Sequence, residues 1–406
     1  MLRKANLLAF FSLTLTLVLM NTPWASPIIP IPSKPVQPMV IPSAPTIDAK
    51  GYILIDASSG KVLAEKNADV RMAPASLTKL MSLYIISGAL KNGSIHLNDK
   101  VRISTKAWRT GGSRMFVKVN DEVEAKDLME GIAVASGNDA SVAMAEFIAG
   151  TEEGFATIMN AQAKALGMNS SHFVDSTGLP NPDHYSTPRD FATLAQALTS
   201  TFPEDYKLFS EKWFTFNGIR QPNRNRLLWR YQYADGLKTG HTDEAGYCLV
   251  ASAVKDKMRL ISVVMGAPSD SSRTEDSIRL LTYGYRFFET HKIQAANGPS
   301  AIARVWKGSK KTVALGLTED WYLTLPAGQY KNTQINIQVN ELTAPITKGQ
   351  PYGSLNIMLN NQIIASKPML ALADDPKGGM FRRAADAVSF KFHTIFAKSS
   401  DTMNNA

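Results

Sequence analysis

The chain has 406 residues, 44% of them apolar and 9% aromatic, enough for a buried core and for two or three domains. Lys and Arg number 44 against 35 Asp and Glu, a formal charge of +9, which is a mild bias toward anionic surfaces such as phospholipid headgroups or cell-wall polymers. Arg220, Arg224, Arg226 and Arg230 form no nucleic-acid motif, so no nucleic-acid partner is expected, and the lone Cys248 excludes an internal disulfide.

Residues 1–25 read as an export signal. Arg3 and Lys4 precede an apolar run, 7–20, that is too short for a comfortable membrane span, and Ala25 is the candidate cleavage point. An uncleaved anchor is the alternative. Residues 26–46 hold Pro27, Pro30, Pro32, Pro35, Pro38, Pro42 and Pro45. Prolines this dense lack ladder donors and favour extended, solvated chain, so the stretch reads as a flexible tail.

The first folded element is a hairpin, 51–57 and 61–65, turned by Ser58-Ser59-Gly60. Ser76-Leu77-Thr78-Lys79 follows. A serine and a lysine three apart share one face of a helix, and the run 80–86 is too apolar for a surface helix. A hydroxyl and an amine therefore sit at the first turn of a helix plugged into a core. The hydroxyl becomes a nucleophile when a neighbour takes its proton. A lysine can take it once burial or a second cation lowers its pKa. On its own the spacing is weak, expected about once or twice by chance in a chain this long.

Residues 101–118 contain Gly111-Gly112-Ser113, a rim over the site or an ordinary surface turn. Residues 121–149 read as two helical segments on either side of Ser136-Gly137-Asn138. Helices are expected over 153–166 and 190–200, with a loop over 172–189 between them. Lys238-Thr239-Gly240 opens a β-rich run in which Cys248 reads as a buried strand residue. Residues 249–266 read as two strands joined by Lys255-Asp256-Lys257. An amphipathic helix over 272–290 turns Leu280, Leu281, Phe287 and Phe288 inward. From 292 to 376, short alternating runs with turn residues between them suggest an all-β sandwich. From 377 to 398, Phe381, Ala384, Ala385, Val388, Phe392, Ile395 and Phe396 fall at helical spacing between basic residues. Apolar on one side and cationic on the other is what an in-plane membrane helix needs; the alternative is that the apolar face packs on the β domain. The polar tail 399–406 is expected to be disordered.

Two of the motifs, Ser136-Gly137-Asn138 and Lys238-Thr239-Gly240, are each expected well under once by chance. With Ser76-x-x-Lys79 before them, they follow the pattern of the penicillin-recognising serine enzymes. From about residue 47 onward the chain resembles the D-alanyl-D-alanine carboxypeptidases, the low-molecular-mass penicillin-binding proteins. Ser136-Gly137-Asn138-Asp139-Ala140, Phe216-Asn217-Gly218-Ile219-Arg220, Asp235-Gly236-Leu237-Lys238-Thr239-Gly240-His241-Thr242 and Arg259-Leu260-Ile261-Ser262 all read like that family. The resemblance implies an α+β fold. A transpeptidase/β-lactamase-like catalytic domain, an antiparallel sheet flanked by helices, would span 47–291. A small β sandwich would span 292–376, and an amphipathic membrane-anchoring helix 377–398.

The resemblance also implies acyl transfer through a covalent intermediate. Ser76 would attack the penultimate D-alanine carbonyl of a peptidoglycan stem peptide, and Lys79 would accept the proton. Lys238 would help keep Lys79 neutral, Ser136 would relay a proton to the leaving amine, and Asn138 would orient Lys79 and the substrate amide. Lys238, Thr239, Gly240 and Arg273 would receive the terminal carboxylate. Backbone N–H groups of Ser76 and His241 would form the oxyanion hole. β-Lactams are the implied inhibitors, and the outer face of the inner membrane, on the periplasmic side, the implied location. No cofactor is implied, and the six histidines show no metal-ligand spacing. Class A β-lactamases use a loop glutamate to activate the deacylating water; no glutamate stands between residues 154 and 203. Penicillin is therefore expected to inhibit rather than to be turned over. Capture of the acyl-enzyme by an amine leaves endopeptidase or transpeptidase activity open. A non-catalytic peptidoglycan-binding role would need broken motifs, and all three are intact.

Overall fold

The computed structural model describes residues 41–389. The export-signal reading, most of the proline-rich stretch, residues 390–398 of the amphipathic helix and the polar tail lie outside them. The catalytic half is built on a five-stranded antiparallel sheet in the spatial order Val62–Lys66, Gly51–Asp56, Met258–Ala267, Gly246–Lys255, Ala234–Thr242. Side chains alternate between two cores, as the two-residue period of a strand requires. Leu249, Ala251 and Ala253 face the helix Asp270–Phe287 through Leu280, Leu281 and Tyr283. Cys248 and Val250 face the helices Lys79–Lys91, Asn138–Ala149, Glu152–Ala165 and Pro188–Thr201. Because both faces are covered, the two inner strands show no polar alternation, and even Ser252 and Ser262 are fully buried.

Three helices begin one or two residues before the expected positions. Thr151, Thr187 and Ser269 each accept a backbone N–H from the first turn, and Pro188 occupies the first helical position where no donor is needed. The capping residue sets the start, ahead of the first apolar repeat. The helix expected to run to residue 290 stops at Phe287. Phe288–Gln294 is instead a strand paired with Trp321–Pro326, so the β domain begins earlier than expected. The Phe287-Phe288 pair fits a helix face and a ladder equally, and the partner strand decides.

The β domain adds a six-stranded sheet, Thr333–Val339, Pro351–Leu359, Gln362–Ala371, Thr312–Gly316, Pro299–Trp306 and Leu342–Thr343. Its own core includes Val305, Leu315, Trp321, Leu355, Ile357 and Met369. The two halves meet at Asp56, which is fully buried. One oxygen accepts Ser59 N at 2.7 Å and Ser59 Oγ at 2.8 Å; the other accepts Thr290 Oγ1 at 2.8 Å.

The end of the proline-rich stretch is seated rather than free. The Tyr283 hydroxyl donates to the Pro42 carbonyl at 3.1 Å, and Ile41 and Ala44 pack on the second core. At the other end, residues 380–389 are helical. Arg382 Nη1 donates to the Ser309 carbonyl at 2.6 Å, and Asp386 accepts Lys307 N at 2.7 Å, so a charged pair one turn apart faces the β domain. Phe381 and Val388 are 94% and 59% exposed, so these apolar residues do not pack on it. Among the described residues, no helix is long and apolar enough to cross a membrane.

Replacing Asp56 with alanine leaves the Ser59 amide and the Thr290 hydroxyl without their acceptor. Chemical or thermal unfolding should show a loss of about 1–3 kcal/mol, with the fold retained by circular dichroism.

Candidate active site

The nucleophile candidate sits on a short 3-10 turn, Ala75–Thr78, that runs directly into the buried helix Lys79–Lys91. Ala75 has φ +49°, a left-handed conformation that a side-chain-bearing residue adopts only when its surroundings enforce it. The turn leaves Ser76 half-buried while Leu77, Thr78 and Lys79 are wholly enclosed. The expected spacing holds: Lys79 Nζ donates to Ser76 Oγ at 3.0 Å. Its second acceptor is the Thr177 carbonyl at 2.7 Å.

Ser136 ends a π-helical turn, Gly131–Ala135, and is itself left-handed at φ +61°. Its hydroxyl accepts from Lys238 Nζ at 3.0 Å, and the same amine donates to the Thr239 carbonyl at 3.0 Å. Lys238 and Thr239 are buried in the edge strand Ala234–Thr242. That strand lies against the Ser76 turn because Gly240 lets it: a Cβ there would stand 2.9 Å from the Pro74 carbonyl oxygen and 3.2 Å from Leu77 N.

Asn138 opens the helix Asn138–Ala149. Its amide Nδ2 donates to the Gly111 carbonyl at 2.6 Å, and its backbone N donates to the Ser113 carbonyl at 2.7 Å. The glycine-rich stretch is therefore a rim of the site. The expected orientation of Lys79 by Asn138 is not made, because the amide is engaged by that rim; Asn138 Oδ1 is left buried without a partner. Asp139, next in the chain, stiffens the same rim by accepting Met115 N at 3.0 Å and Phe116 N at 2.9 Å.

Arg273 stands behind the edge strand. Its Nη1 donates to the Gly240 carbonyl at 2.9 Å and the Cys248 carbonyl at 3.3 Å, Nη2 pairs with Asp270, and Nε is buried without a partner. The guanidinium lies 5.4 Å over the Tyr247 ring. His241 is exposed and stacks on Tyr247 at 4.0 Å. Together with Arg224 and Arg226 these residues line an open cavity of about 440 Å³.

Lys79 is held down at about 7, and burial is the cause; Asp175, Asp139 and Glu152 pull the other way. Lys238 is pushed well below its ordinary value, first by burial and then by the Lys79 and Arg273 charges. The two buried amines disfavour each other's charged form, and at Lys79 the carboxylates of Asp175, Asp139 and Glu152 offset part of the effect. Burial is the first cause that keeps Lys79 neutral. Arg273 is also lowered, by burial first.

Thr177 was not visible in the sequence as a site residue, because it acts through a backbone carbonyl that any residue would supply. Asp139 has a local signal, an acidic residue in the first turn of a helix, but its targets lie on a rim 22 to 24 residues away in the chain.

The profile of the D-alanyl-D-alanine carboxypeptidases matches residues 39–269, and that of the penicillin-binding protein 5 C-terminal domain matches residues 288–377. D-alanyl-D-alanine carboxypeptidase DacC of Escherichia coli K12 is 46% identical over 362 residues, 87% of this chain and 90% of the relative. DacA of the same strain is 45% identical over 366 residues, 88% of this chain and 91% of the relative. The crystal structure of penicillin-binding protein 5 from Haemophilus influenzae superposes with a TM-score of 0.79 at 41% identity, covering 83% of this chain and all of that one. Penicillin-binding protein D2 of Listeria monocytogenes, in its ampicillin-bound form, gives a TM-score of 0.56 at 31% identity over 60% of this chain and 100% of that one.

Holding the Lys79 amine at about 7 instead of 10.5 forgoes roughly 4 kcal/mol of stability at neutral pH. Replacing it with methionine removes that penalty but leaves the Thr177 carbonyl unpaired, at about 1–3 kcal/mol. Lys79→Met should therefore be more stable than the parent at pH 7 by about 2 kcal/mol. The folded-state value lies below the unfolded one, so the penalty is lost as pH rises from 7 to 10.5. Unfolding measured across that window should show the advantage of the variant shrinking to nothing or reversing.

Proposed function

We propose that in this chain, which belongs to the D-alanyl-D-alanine carboxypeptidase family, Ser76 is the acylating nucleophile and neutral Lys79 its proton acceptor. The chain is a serine-type D-alanyl-D-alanine carboxypeptidase. The 3.0 Å contact between Ser76 Oγ and the wholly buried Lys79 amine carries the assignment. A buried amine near pH 7 is matched to its task, because it is neutral often enough to accept a proton and basic enough to keep it.

Ser76 Oγ attacks the carbonyl of the penultimate D-alanine of a peptidoglycan stem peptide while its proton passes to Lys79. Backbone N–H groups of Ser76 and His241 receive the oxyanion; one such donor is worth about 3–4 kcal/mol of barrier. The C–N bond then breaks. The proton reaches the departing D-alanine amine through Ser136, whose hydroxyl is oriented by Lys238. Water hydrolyses the resulting ester and frees Ser76. Lys238, Thr239 and Gly240 receive the terminal carboxylate. That anion favours the ammonium form of Lys238, so substrate binding would favour charging an amine that burial and the neighbouring cations hold down. Arg273 adds positive charge from behind the strand, and the unpartnered Asn138 Oδ1 is placed to accept the substrate amide N–H.

β-Lactams would acylate Ser76 and leave slowly, making them inhibitors. The absence of a glutamate from 154 to 203 supports this, as do the ampicillin- and cefotaxime-bound forms of the Listeria relative. We place the enzyme in the periplasm, exported by residues 1–25 and held on the outer face of the inner membrane by the amphipathic segment 377–398. The pattern of Phe381 and Val388 turned away from the β domain, beside Arg382 and Asp386 turned toward it, supports that anchoring.

Four measurements test the reading. Ser76→Ala should lose all covalent labelling by a fluorescent penicillin while keeping its melting profile; a labelled variant would reassign the nucleophile. Lys79→Arg keeps the charge but cannot shed it at neutral pH, so acylation should fall by about 10²–10⁴-fold, and in the parent the rate should decline as pH drops through about 7. Mass spectrometry of a pentapeptide stem should show loss of one alanine, and truncation after Pro376 should yield a soluble enzyme with that activity intact. Truncated protein that stays with membranes would remove the helix from the anchoring role.

A further inference from the structure

We infer that Asp175, His184 and Thr78 form a strap that holds the Thr177 carbonyl against Lys79 and thereby orients the proton acceptor. The three are positioning residues for acylation, and the inference rests on the assignment of Ser76 and Lys79 to that step.

Lys79 carries its amine on a flexible four-carbon stem. Two bonds fix it, one to Ser76 Oγ and the shorter to the Thr177 carbonyl. Whatever holds Thr177 therefore decides whether the amine points at the nucleophile. Thr177 lies in an irregular stretch between the helices Glu152–Ala165 and Pro188–Thr201. Asp175 Oδ1 shapes the stretch locally, accepting Thr177 N at 2.7 Å, Thr177 Oγ1 at 2.8 Å and Gly178 N at 2.7 Å. An aspartate gathering the amides that follow it makes a self-contained turn.

A local turn does not fix the loop relative to the nucleophile; the ring of His184 does. His184 is 3% exposed and meets Phe173 edge-on. Its Nδ1 faces Asp175 Oδ2 at 3.6 Å, and its Nε2 lies 2.9 Å from Thr78 Oγ1. Thr78 is fully buried in the turn, between Ser76 and Lys79. One ring thus spans from the loop that supplies the carbonyl to the turn that carries the nucleophile. The two backbones are in direct contact at the same place. Gly178 has φ +83°, and a Cβ on it would lie 1.8 Å from the Ala75 carbonyl oxygen and 2.7 Å from Thr78 Oγ1. From the far side, the Ser176 carbonyl accepts Ser82 Oγ and Ser141 Oγ, each at 2.7 Å, and Ser176 N donates to Glu152 at 3.1 Å.

Asp175 acts on the amine by charge as well as by shape. The charged groups acting on Lys79 are Asp175, Asp139 and Glu152, which favour its ammonium form, and Lys238, which shares its buried surroundings. Glu152 is itself paired with Lys106 at 3.0 Å, and Asp139 is engaged by the rim amides. A staple that only closed the loop would leave the titration of Lys79 where it is; this one moves it.

The test compares acylation by a fluorescent penicillin across pH about 5 to 10 in the full chain and four variants, with thermal melts alongside. Asp175→Asn keeps an acceptor oxygen for the loop amides but removes the charge. Its acid limb should move to lower pH, because the ammonium form of Lys79 has lost an anion. His184→Ala should acylate about ten-fold or more slowly on the plateau, yet still label completely at long times. His184→Gln, whose amide can reach Thr78, should recover most of that rate. Should His184→Ala fail to fold, Thr78→Val deletes the same bond with a side chain of the same shape and carries the same expectation. An unmoved acid limb in Asp175→Asn, a parental rate in His184→Ala, or no recovery in His184→Gln would overturn the strap. Labelling that survives Ser76→Ala would instead overturn the nucleophile assignment, and the two failures are told apart by that control.

Discussion

An amine sealed away from water is the constraint on which this structure turns. Lys79 is wholly buried and carries no direct carboxylate partner within hydrogen-bond reach; its bonds go to a hydroxyl and a carbonyl. Burial of that kind favours the neutral form, and the neutral form is what a proton acceptor needs. The same burial works against folding at neutral pH, so the surrounding core has to be large and tightly packed. The helix behind the amine is buried around most of its circumference, with Leu80, Met81 and Ile86 all fully enclosed. A surface helix with the same four-residue motif would leave the lysine charged and the serine inert.

The geometry around that amine is assembled from several pieces, two of them in strained backbone conformations. Ala75 and Ser136 both hold left-handed backbones without being glycine, and both sit at the site. Such conformations cost of order 1–3 kcal/mol each and persist only where the surroundings over-determine them. Here the edge strand presses on the first through Gly240, and the Lys238 amine engages the hydroxyl of the second. The site is pre-organised by backbone packing, and the side chains follow.

The second amine shows how two like charges share one enclosure. Each amine disfavours the charged form of the other, and the carboxylates of Asp175, Asp139 and Glu152 partly offset this at Lys79. An incoming carboxylate supplies the missing counter-charge. On the proposed assignment of Lys238 to the terminal carboxylate, substrate binding would favour charging of Lys238 and so couple recognition to the electrostatics of the proposed nucleophile. The β domain stands outside this machinery; it meets the catalytic half through Asp56 and keeps its own core.

Much of this was legible in the chain. Ser76 and Lys79 are three apart on one helical face, so their contact is a local geometric fact. The three motifs, the two-domain division and the alternating strands of the β domain are likewise written in short-range order. Helix starts differ because caps lie just outside the apolar repeat, and residues 288–290 fit the expected helix as well as the strand they form, because only the partner strand distinguishes the two. The remainder needed tertiary structure. That Asn138 turns to the rim and not to Lys79, that Thr177 lends a carbonyl, and that burial lowers the Lys79 amine all depend on groups far apart in the chain. Short-range order dictates which side chains can act, because covalent spacing puts them on one face. How each one ionises and where it points is decided by long-range packing, because solvation and hydrogen-bond partners exist only once the chain has closed around them.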